Sequence, residues 1–388
     1  MKRKWNVSML LFVLLFAYAG EAAFAKEKEL PQLAENAASA ILIERDTGEV
    51  LFEKDSDNML PPASMTKIMT MLLIMEAIEE GTIKYEDMVT VSENAASMGG
   101  SQVFLEPGEE MSVDDLLKAI AIASGNDAAV AMAEHIGGTE QEFVKMMNAK
   151  AAELGLENTQ FQNPNGLPEA DHYSSAHDLA VMAKELLKYE NITSYTGIYE
   201  DYLRKGTDKE FWLVNTNKLV KFYPGVDGLK TGFTQEAKYG LTATAEKNGM
   251  RVIAVVMGAK TPKERNATIT NMLDYSYSHY STERLHERGD LIGEVPVIKG
   301  KDRHVQAITP EPVSLLLKKG TKLEEIETKI ELFENVEAPV TKGDTVGQLI
   351  IVRDGETLSR TDLVAAEDVE NASWWTLFKR MLSSFAGK

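Results

Sequence analysis

A long helical region stands between two groups of strand-like segments, and this order constrains the fold more than any other feature. The strand-like segments are residues 40–44, 49–53, 228–234, 239–245 and 251–259, and the helical stretches are residues 65–80, 113–123, 127–136, 141–154 and 175–189. Asp46-Thr47-Gly48 and Lys247-Asn248-Gly249 supply hairpin turns. The order predicts an α+β fold in which an antiparallel sheet, closed by both ends of the region, is covered by helical layers.

The chain has 388 residues, which suits two domains. Residues 291–368 show short Val and Ile runs broken by Gly, Pro and Asp-Gly pairs, a pattern that predicts a small all-β domain. We therefore expect an N-terminal signal peptide over residues 1–25, a main α+β domain over 26–285, the small β-rich domain over 291–368 and a tail over 369–388.

The first 25 residues have the pattern of a secretory signal. Lys2, Arg3 and Lys4 form a basic start, residues 9–17 are apolar, and Ala23-Phe24-Ala25 offers a cleavage site. Removing this segment takes away three basic residues and one acidic residue, so the balance becomes 38 minus 59, or −21. We expect an exported protein, and such a negative charge argues against nucleic acid as a partner.

The tail predicts an amphipathic helix. Over residues 374–385, five apolar residues share one helical face, while Lys379 and Arg380 lie on the other together with two serines. Twelve helical residues cannot cross a bilayer. An aromatic face with neighbouring cations is typical of a helix that lies in the lipid headgroup layer. The tail therefore predicts peripheral attachment to the membrane surface, and the alternative is a terminal helix docked on a domain.

Metal and thiol chemistry find little support in the composition. The chain has no cysteine, so it has neither disulfides nor a thiol nucleophile, and its six histidines show no metal-binding spacing. We expect no metal and no cofactor.

Ser64 and Lys67 are the first candidates for chemistry. Pro61-Pro62 precede them and the apolar stretch 66–77 follows, which predicts that Ser64 lies in the first turn of a helix near the positive end of its dipole. Lys67 lies on the same face, within reach of the hydroxyl. A neighbouring amine can turn serine into a nucleophile. A helix start with a solvated lysine is the other interpretation of this pair.

Two more patterns join the first. Ser124-Gly125-Asn126 lies in the break between two helical stretches, and Lys230-Thr231-Gly232 lies in a strand-like segment. In this order, and with Asn163-Pro164-Asn165-Gly166-Leu167, they resemble the active-site motifs of the D-alanyl-D-alanine carboxypeptidases, serine peptidases among the low-molecular-mass penicillin-binding proteins of the Gram-positive type. The resemblance covers nearly the whole mature chain and implies a β-lactamase/transpeptidase-like fold for residues 26–285, the catalytic domain.

The resemblance also implies a role for each motif residue. Ser64 would attack the carbonyl between two terminal D-alanines, and Lys67 would take the serine proton, for which it must be neutral. The resemblance implies that Lys230 would be a neighbouring cation and would favour the neutral form of Lys67. Ser124 would relay the proton to the departing D-alanine, and the amide of Asn126 would hold the peptide group of the substrate.

The strand motif would bind the leaving end of the substrate. Lys230 and Thr231, with Gly232, would bind the terminal carboxylate, which β-lactam inhibitors mimic. The backbone N–H groups of Ser64 and Phe233 would form the oxyanion hole. His172 or His177 would be a further assisting group near residues 163–167.

The implied partners are a peptidoglycan pentapeptide as substrate, β-lactams as inhibitors and the outer face of the cell membrane. The resemblance also implies a role in cell-wall biogenesis and cell shape, in the vegetative wall or in sporulation. A transpeptidase or endopeptidase, a β-lactamase and an inactive wall-binding scaffold are the alternatives. Against a class A β-lactamase, residues 163–176 contain only Glu169 and no Glu-x-x-x-Asn spacing.

Overall fold

The computed structural model describes residues 32–320, 326–353 and 355–386. The predicted signal peptide therefore lies outside the described residues. The α-helices are α1 (Lys67–Glu79), α2 (Glu93–Ala96), α3 (Val113–Lys118), α4 (Asn126–Gly137), α5 (Glu140–Glu153), α6 (Ala176–Leu186), α7 (Thr193–Thr196), α8 (Leu219–Phe222), α9 (Pro262–His279) and α10 (Trp374–Ala386). Short 3₁₀ turns cover Ala63–Thr66 and Glu190–Ile192, and a π-helical turn covers Ala119–Ala123.

The strands fall into a main sheet, short hairpins and a C-terminal β-structure. They are β1 (Ser39–Glu44), β2 (Val50–Lys54), β3 (Met88–Thr90), β4 (Glu110–Ser112), β5 (Glu200–Leu203), β6 (Phe211–Val214), β7 (Val226–Thr234), β8 (Lys238–Lys247), β9 (Met250–Ala259), β10 (Tyr280–His286), β11 (Leu291–Ile298), β12 (His304–Ile308), β13 (Val313–Lys318), β14 (Ile326–Leu332), β15 (Val336–Glu337), β16 (Thr345–Arg353) and β17 (Glu356–Ala365).

The main sheet is antiparallel with the order β2-β1-β9-β8-β7. The two hairpins predicted from their turns are β1–β2 and β8–β9. The pairing of β1 with β9, from Ser39–Met257 to Glu44–Val252, joins segments more than 200 residues apart. The predicted α+β fold, with a sheet closed by both ends of the region, is confirmed.

Both faces of this sheet are buried, which explains why its strands are apolar almost throughout. Ile41 and Ile43 of β1 face a layer that contains α1, α4 and α6. Ala40 and Leu42 face the opposite layer, which contains α9. Successive side chains of β1 therefore pack into two different cores. The helical layer of the first core carries Lys67 and Asn126, and strand β7 of the sheet carries Lys230.

Helix α9 was not expected from the sequence. Its residues are mostly polar, and only a narrow stripe that includes Ile269, Met272 and Leu273 is buried against the sheet. Thr261 caps its N-terminus by accepting a hydrogen bond from the backbone N–H of Glu264, and Pro262 follows as its first residue. Capping and a few sheet contacts thus stabilise a helix whose hydrophobic pattern is weak.

The C-terminal β-structure contains a sheet with the order β14-β16-β17-β12-β11-β15 and a separate β10–β13 pair. Its own apolar core includes Val295, Val305, Leu349 and Leu363. The boundary expected at residue 285 falls inside β10, whose partner β13 lies within the expected β-domain. Strand β10 therefore links the two parts of the chain.

Helix α10 begins at Trp374, as expected for the tail. Trp374 and Trp375 are 67% and 64% exposed, and the ring of Trp374 stacks on that of Phe378 at 5.2 Å between centroids. On the other side, Arg380 donates hydrogen bonds to the backbone carbonyls of Gly300 and Lys301. Across the described residues, every helix is too short or too polar to span a bilayer.

Candidate active site

Ser64 lies in a 3₁₀ turn, and Lys67 is the first residue of α1. Three residues per turn put these two side chains on the same side, and the Nζ atom of Lys67 lies 3.1 Å from the Oγ atom of Ser64. The expectation that Ser64 lies in the first turn of the α-helix is wrong, because Ala63 has a left-handed backbone (φ 49°) and the chain tightens before α1 begins.

Lys67 is fully buried and has two further oxygen partners. Its Nζ atom lies 2.6 Å from Oδ1 of Asn126 and 2.7 Å from the backbone carbonyl oxygen of Asn165. Burial holds the pKa of Lys67 well below its ordinary value, and the nearby Lys230 lowers it further, while Asp127 opposes the shift. The surroundings therefore favour a neutral amine beside Ser64.

The Ser124-Gly125-Asn126 motif follows the π-helical turn that ends α3. Ser124 has a left-handed backbone (φ 64°, ψ 32°), and α4 begins two residues later at Asn126. The Oγ atom of Ser124 is buried and has no hydrogen-bond partner among the described residues. Asn126 also donates from Nδ2 to the carbonyl oxygen of Gly99 at 2.6 Å. The break in the helix thus places the unpartnered hydroxyl of Ser124 next to the hydrogen-bonded amide of Asn126 in the chain.

Residues 163–167 form the wall that carries the carbonyl of Asn165. Oδ1 of Asn163 accepts the N–H of Gly166 at 2.7 Å, and Thr70 donates to the carbonyl of Pro164 at 2.6 Å. Gly166 has φ 84°, and a β-carbon there would overlap the carbonyl oxygen of Ala63. A glycine is therefore needed for this loop to approach the turn that holds Ser64.

The Lys-Thr-Gly motif lies on β7, the edge strand of the main sheet. Lys230 is buried, and burial together with the charge of Arg265 lowers its pKa to about 7. Thr231 donates from Oγ1 to the hydroxyl of Thr216 at 2.7 Å. A β-carbon on Gly232 would lie 2.6 Å from the carbonyl oxygen of Pro62, so this strand packs closely against the Ser64 turn.

Phe233 continues the strand at the rim of the site. Its side chain is 45% exposed and stacks on Tyr239 of β8, with 4.3 Å between ring centroids. The side chain offers no hydrogen-bonding group. Phe233 therefore brings a backbone N–H and an exposed apolar ring to the rim.

Arg265, which lies in no recognisable motif, belongs to this region. It lies on α9, it is only 6% exposed, and its guanidinium donates to Oδ1 of Asn266. Among the described residues it forms no ion pair with a carboxylate, and neither does Lys230. Burial lowers the pKa of Arg265 to about 10. Two buried basic side chains without a protein anion would be compensated by an anionic ligand. Because α9 has a weak sequence pattern, nothing in the sequence marked this arginine.

The two histidines considered as assisting groups have other contacts. Nδ1 of His172 accepts the backbone N–H of Gln162 at 3.1 Å, so Nε2 carries the proton and donates to Oγ1 of Thr66 at 2.8 Å. Burial lowers the pKa of His172 to about 4. His177 lies 3.3 Å from Asp178. His172 thus ties the start of α1 to the adjacent loop as a neutral ring.

A cleft of about 530 Å³ adjoins the Ser64 turn. One wall is the loop 166–173, the other is the end of β7 and the turn after it, and the prolines before Ser64 lie between them. Elsewhere in the described part of the chain, no grouping of three or more histidine or acidic side chains is suited to a metal ion.

Known proteins are similar to this chain over nearly its whole length. The family model for D-alanyl-D-alanine carboxypeptidases matches residues 25–261, and that for the penicillin-binding protein 5 C-terminal domain matches residues 280–371. The chain is 57% identical to D-alanyl-D-alanine carboxypeptidase DacF of Bacillus subtilis, with 97% of each chain covered. It is 33% identical to DacC of Escherichia coli, over 94% of this chain and 91% of that one.

Solved structures of related proteins are also similar to this chain. Penicillin-binding protein 5 from Haemophilus influenzae superposes with a TM-score of 0.68 at 32% identity and covers 87% of this chain and 98% of its own. A mutant of the Streptomyces K15 DD-transpeptidase superposes with a TM-score of 0.59 at 27% identity, over 63% of this chain and 98% of its own. The chain therefore belongs to the D-alanyl-D-alanine carboxypeptidase family of serine peptidases.

Proposed function

We propose that this protein is a serine-type D-alanyl-D-alanine carboxypeptidase that removes the terminal D-alanine from peptidoglycan stem peptides through an acyl-enzyme. The observation that carries the proposal is the 3.1 Å distance between Oγ of Ser64 and Nζ of Lys67, a buried amine whose pKa is held well below its ordinary value. A neutral amine beside a hydroxyl is a competent general base.

The hydrogen bonds of Lys67 suit this role. A charged lysine has three N–H donors and no acceptor, and loss of one proton leaves two N–H groups and a lone pair. Asn126 Oδ1 and the Asn165 carbonyl can only accept, so they take the two N–H groups. The lone pair is then left for the Ser64 hydroxyl, the one neighbour that can donate.

In the acylation step, Ser64 gives its proton to Lys67 while Oγ forms a bond to the carbonyl carbon between the two D-alanines. The electron pair of that carbonyl moves to its oxygen, where the backbone N–H groups of Ser64 and Phe233 stabilise the charge. Removing one such donor typically lowers the rate about 10²- to 10³-fold. Collapse of the intermediate breaks the peptide bond and leaves an ester on Ser64.

The departing D-alanine needs a proton on its nitrogen and a partner for its carboxylate. The buried, unpartnered hydroxyl of Ser124 suits a relay that returns the proton from Lys67. Lys230, Thr231 and Arg265 suit the carboxylate, because the two buried cations have no protein anion. A β-lactam carries a carboxylate in the same relation to its reactive carbonyl, so the same groups would bind it.

Water then completes the reaction by attacking the ester, which releases the shortened peptide and restores the Ser64 hydroxyl. Class A β-lactamases use a loop glutamate for this step. Glu169 is the only glutamate in residues 163–176. It is exposed in the cleft beside Ser64 and lacks the Glu-x-x-x-Asn spacing. This difference supports the peptidase over the β-lactamase.

Two measurements test the proposal. A labelled penicillin should attach to the native protein and not to Ser64→Ala, and labelling of that variant would refute the nucleophile. A pentapeptide ending in D-Ala-D-Ala should release D-alanine in water alone. Release that requires an added amine acceptor would instead indicate a transpeptidase, whose fold is the same.

We also propose that the protein is exported and that α10 holds it at the outer face of the membrane. Support comes from the two exposed tryptophans at the start of α10 and from the exposed basic residue Lys379. The bonds from Arg380 to the β-structure favour the alternative, a helix docked on the protein.

Fractionation separates these possibilities. Deleting residues 371–388 should move the protein from the membrane to the soluble fraction. Trp374→Ser with Trp375→Ser should do the same, whereas Arg380→Ala should not. An unchanged distribution after the deletion would overturn the anchor.

A further inference from the structure

A loop over residues 160–173 lies against the segment that carries Ser64 and Lys67. Its first half supplies the carbonyl oxygen of Asn165, which accepts a hydrogen bond from Lys67 at 2.7 Å. This contact takes one N–H group of the neutral amine and so helps to direct the lone pair toward Ser64. The proposed reaction therefore depends on how firmly the loop is held against the nucleophile segment.

His172, in the second half of the loop, reaches the same segment. The residue is only 6% exposed, and its Nε2 atom donates to Oγ1 of Thr66 at 2.8 Å. Thr66 lies in the 3₁₀ turn that carries Ser64 and directly precedes Lys67. A buried side chain of the loop thus forms a hydrogen bond between the nucleophile and its base along the chain.

The ring of His172 is fixed on its other side as well. Its Nδ1 atom accepts the backbone N–H of Gln162 at 3.1 Å, and the ring packs edge-on against Phe161 with 5.9 Å between centroids. Burial lowers the pKa of His172 to about 4, so at neutral pH the uncharged ring accepts at one nitrogen and donates at the other. These contacts hold the ring in the orientation that Thr66 requires.

Backbone pairs already close the ends of this loop. Gln160 and Tyr173 exchange N–H to carbonyl hydrogen bonds at 2.9 and 3.1 Å, and Leu60 and Ser174 exchange them at 2.8 and 3.0 Å. The fold of the loop therefore has support that does not involve the imidazole ring. What the ring adds is a bond from the loop to the turn that carries the nucleophile.

We propose that His172 is a positioning residue for acylation. Its hydrogen bond to Thr66 fixes the Ser64 turn against the loop that carries the Asn165 carbonyl, and so keeps the Ser64 hydroxyl aligned with the lone pair of Lys67. His172 acts through Thr66 and not on the reacting atoms. The proposal rests on the proposed serine mechanism and adds a residue that the motifs do not contain.

Substitutions of His172 separate the two bonds of the ring. Glutamine can place an N–H group near the position of Nε2 and keep the bond to Thr66, whereas asparagine can place an oxygen near the position of Nδ1 and keep the bond from Gln162. Leucine keeps neither bond.

The readout is labelling by penicillin at several concentrations, which separates the acylation rate constant from the Kd of the complex that precedes it. The rate constant should fall about tenfold in His172→Leu and His172→Asn but less than about twofold in His172→Gln, because small misplacements slow a positioned reaction. The Kd should stay the same. A loss of rate that follows the loss of melting temperature in all three variants would indicate a structural role and overturn the proposal.

Thr66 provides the same test from the other side of the bond. Thr66→Val removes the hydroxyl at almost constant volume and should slow acylation about tenfold, whereas Thr66→Ser keeps the hydroxyl and should acylate at close to the native rate. Adding His172→Leu to Thr66→Val should slow acylation less than about twofold further, since both changes remove one bond. Independent effects that multiply would overturn the proposal, as would a native rate in Thr66→Val.

A control and the native protein distinguish this proposal from the proposed function. His135 is an exposed histidine on α4, outside the loop, and His135→Gln should acylate at the native rate. Absence of labelling in the native protein would contradict the serine mechanism itself. Labelling of the native protein at a rate that His172→Leu and Thr66→Val share would overturn the positioning role alone.

Discussion

The side-chain oxygen of Asn126 lies 2.6 Å from the buried amine of Lys67, although the two residues are 59 positions apart. A neutral amide at this position accepts an N–H without stabilising a positive charge as a carboxylate would. The identity of this acceptor therefore helps to set the proton affinity of the amine that faces Ser64.

Asn126→Asp should weaken acylation near neutral pH. The new carboxylate would lie against Lys67, favour its charged form and raise its pKa. At pH 7 the rate of labelling by penicillin should be at least about tenfold lower than that of the native protein, and this difference should shrink as the pH is raised. A labelling profile between pH 6 and 10 that coincides with that of the native protein would contradict the role of Asn126.

Arg265→Met should impair binding of the substrate carboxylate. Loss of one charged hydrogen-bonding partner predicts a decrease in kcat/KM of about 10- to 100-fold for the pentapeptide. Because Arg265 is a buried cation without a protein anion, the variant should unfold at the same temperature as the native protein or at a higher one. Unchanged kcat/KM would exclude Arg265 from the carboxylate site. Arg288→Met serves as the control, because Arg288 lines a different cavity.

The pH dependence of kcat/KM should report the titration of the Lys230 side chain. The pKa of this side chain is about 7, and its charge is needed to bind the carboxylate, so kcat/KM should fall as the pH rises above about 7. Arg265 lowers the pKa of Lys230, so Arg265→Met should move the falling limb to higher pH. A limb that stays in place would show that another group titrates.

Gly166→Ala should damage the site more than its backbone conformation alone predicts. Gly138 has a similar φ (74° against 84°) but open space around it, so Gly138→Ala incurs only the left-handed backbone cost of about 1–2 kcal/mol. The collision of a β-carbon at position 166 with Ala63 should add about 1–3 kcal/mol of destabilisation and slow penicillin labelling. Equal melting temperatures for the two variants would contradict this close approach.

Asp46 should stabilise the junction between the main sheet and the C-terminal β-structure. Its carboxylate is buried in the β1–β2 turn, accepts the hydroxyl of Ser314 at 2.6 Å and lies 3.3 Å from Arg284. Asp46→Ala should lower the free energy of unfolding by about 1–3 kcal/mol and speed proteolysis near residues 286–291. D-alanine release should be unchanged, and Asp46→Asn, which keeps an acceptor, should have a smaller effect. Equal protease sensitivity of all three proteins would contradict this role.

Local patterns explain what could be predicted. Ser64, Lys67, Ser124, Asn126 and Lys230 lie in short motifs next to breaks or strong apolar runs, and the hairpins have clear turn residues. Helix α9 was missed because its buried stripe is narrow and its surface polar, and Arg265 was missed with it. The pairing of β10 with β13 was missed because such register depends on packing between distant segments.

The sequence by itself determined the main hairpins, most of the longer helices, the closed antiparallel sheet and the motif residues of the site, because turn residues, apolar runs and short motifs can be read along the chain. Tertiary structure decided the protonation of those residues and their hydrogen-bond partners. Burial and the charge of Lys230 favour a neutral Lys67, and its N–H groups are directed to the carbonyl of Asn165 and the amide oxygen of Asn126. Only folding brings these groups together, since desolvation and charge coupling depend on distance in space and not along the chain.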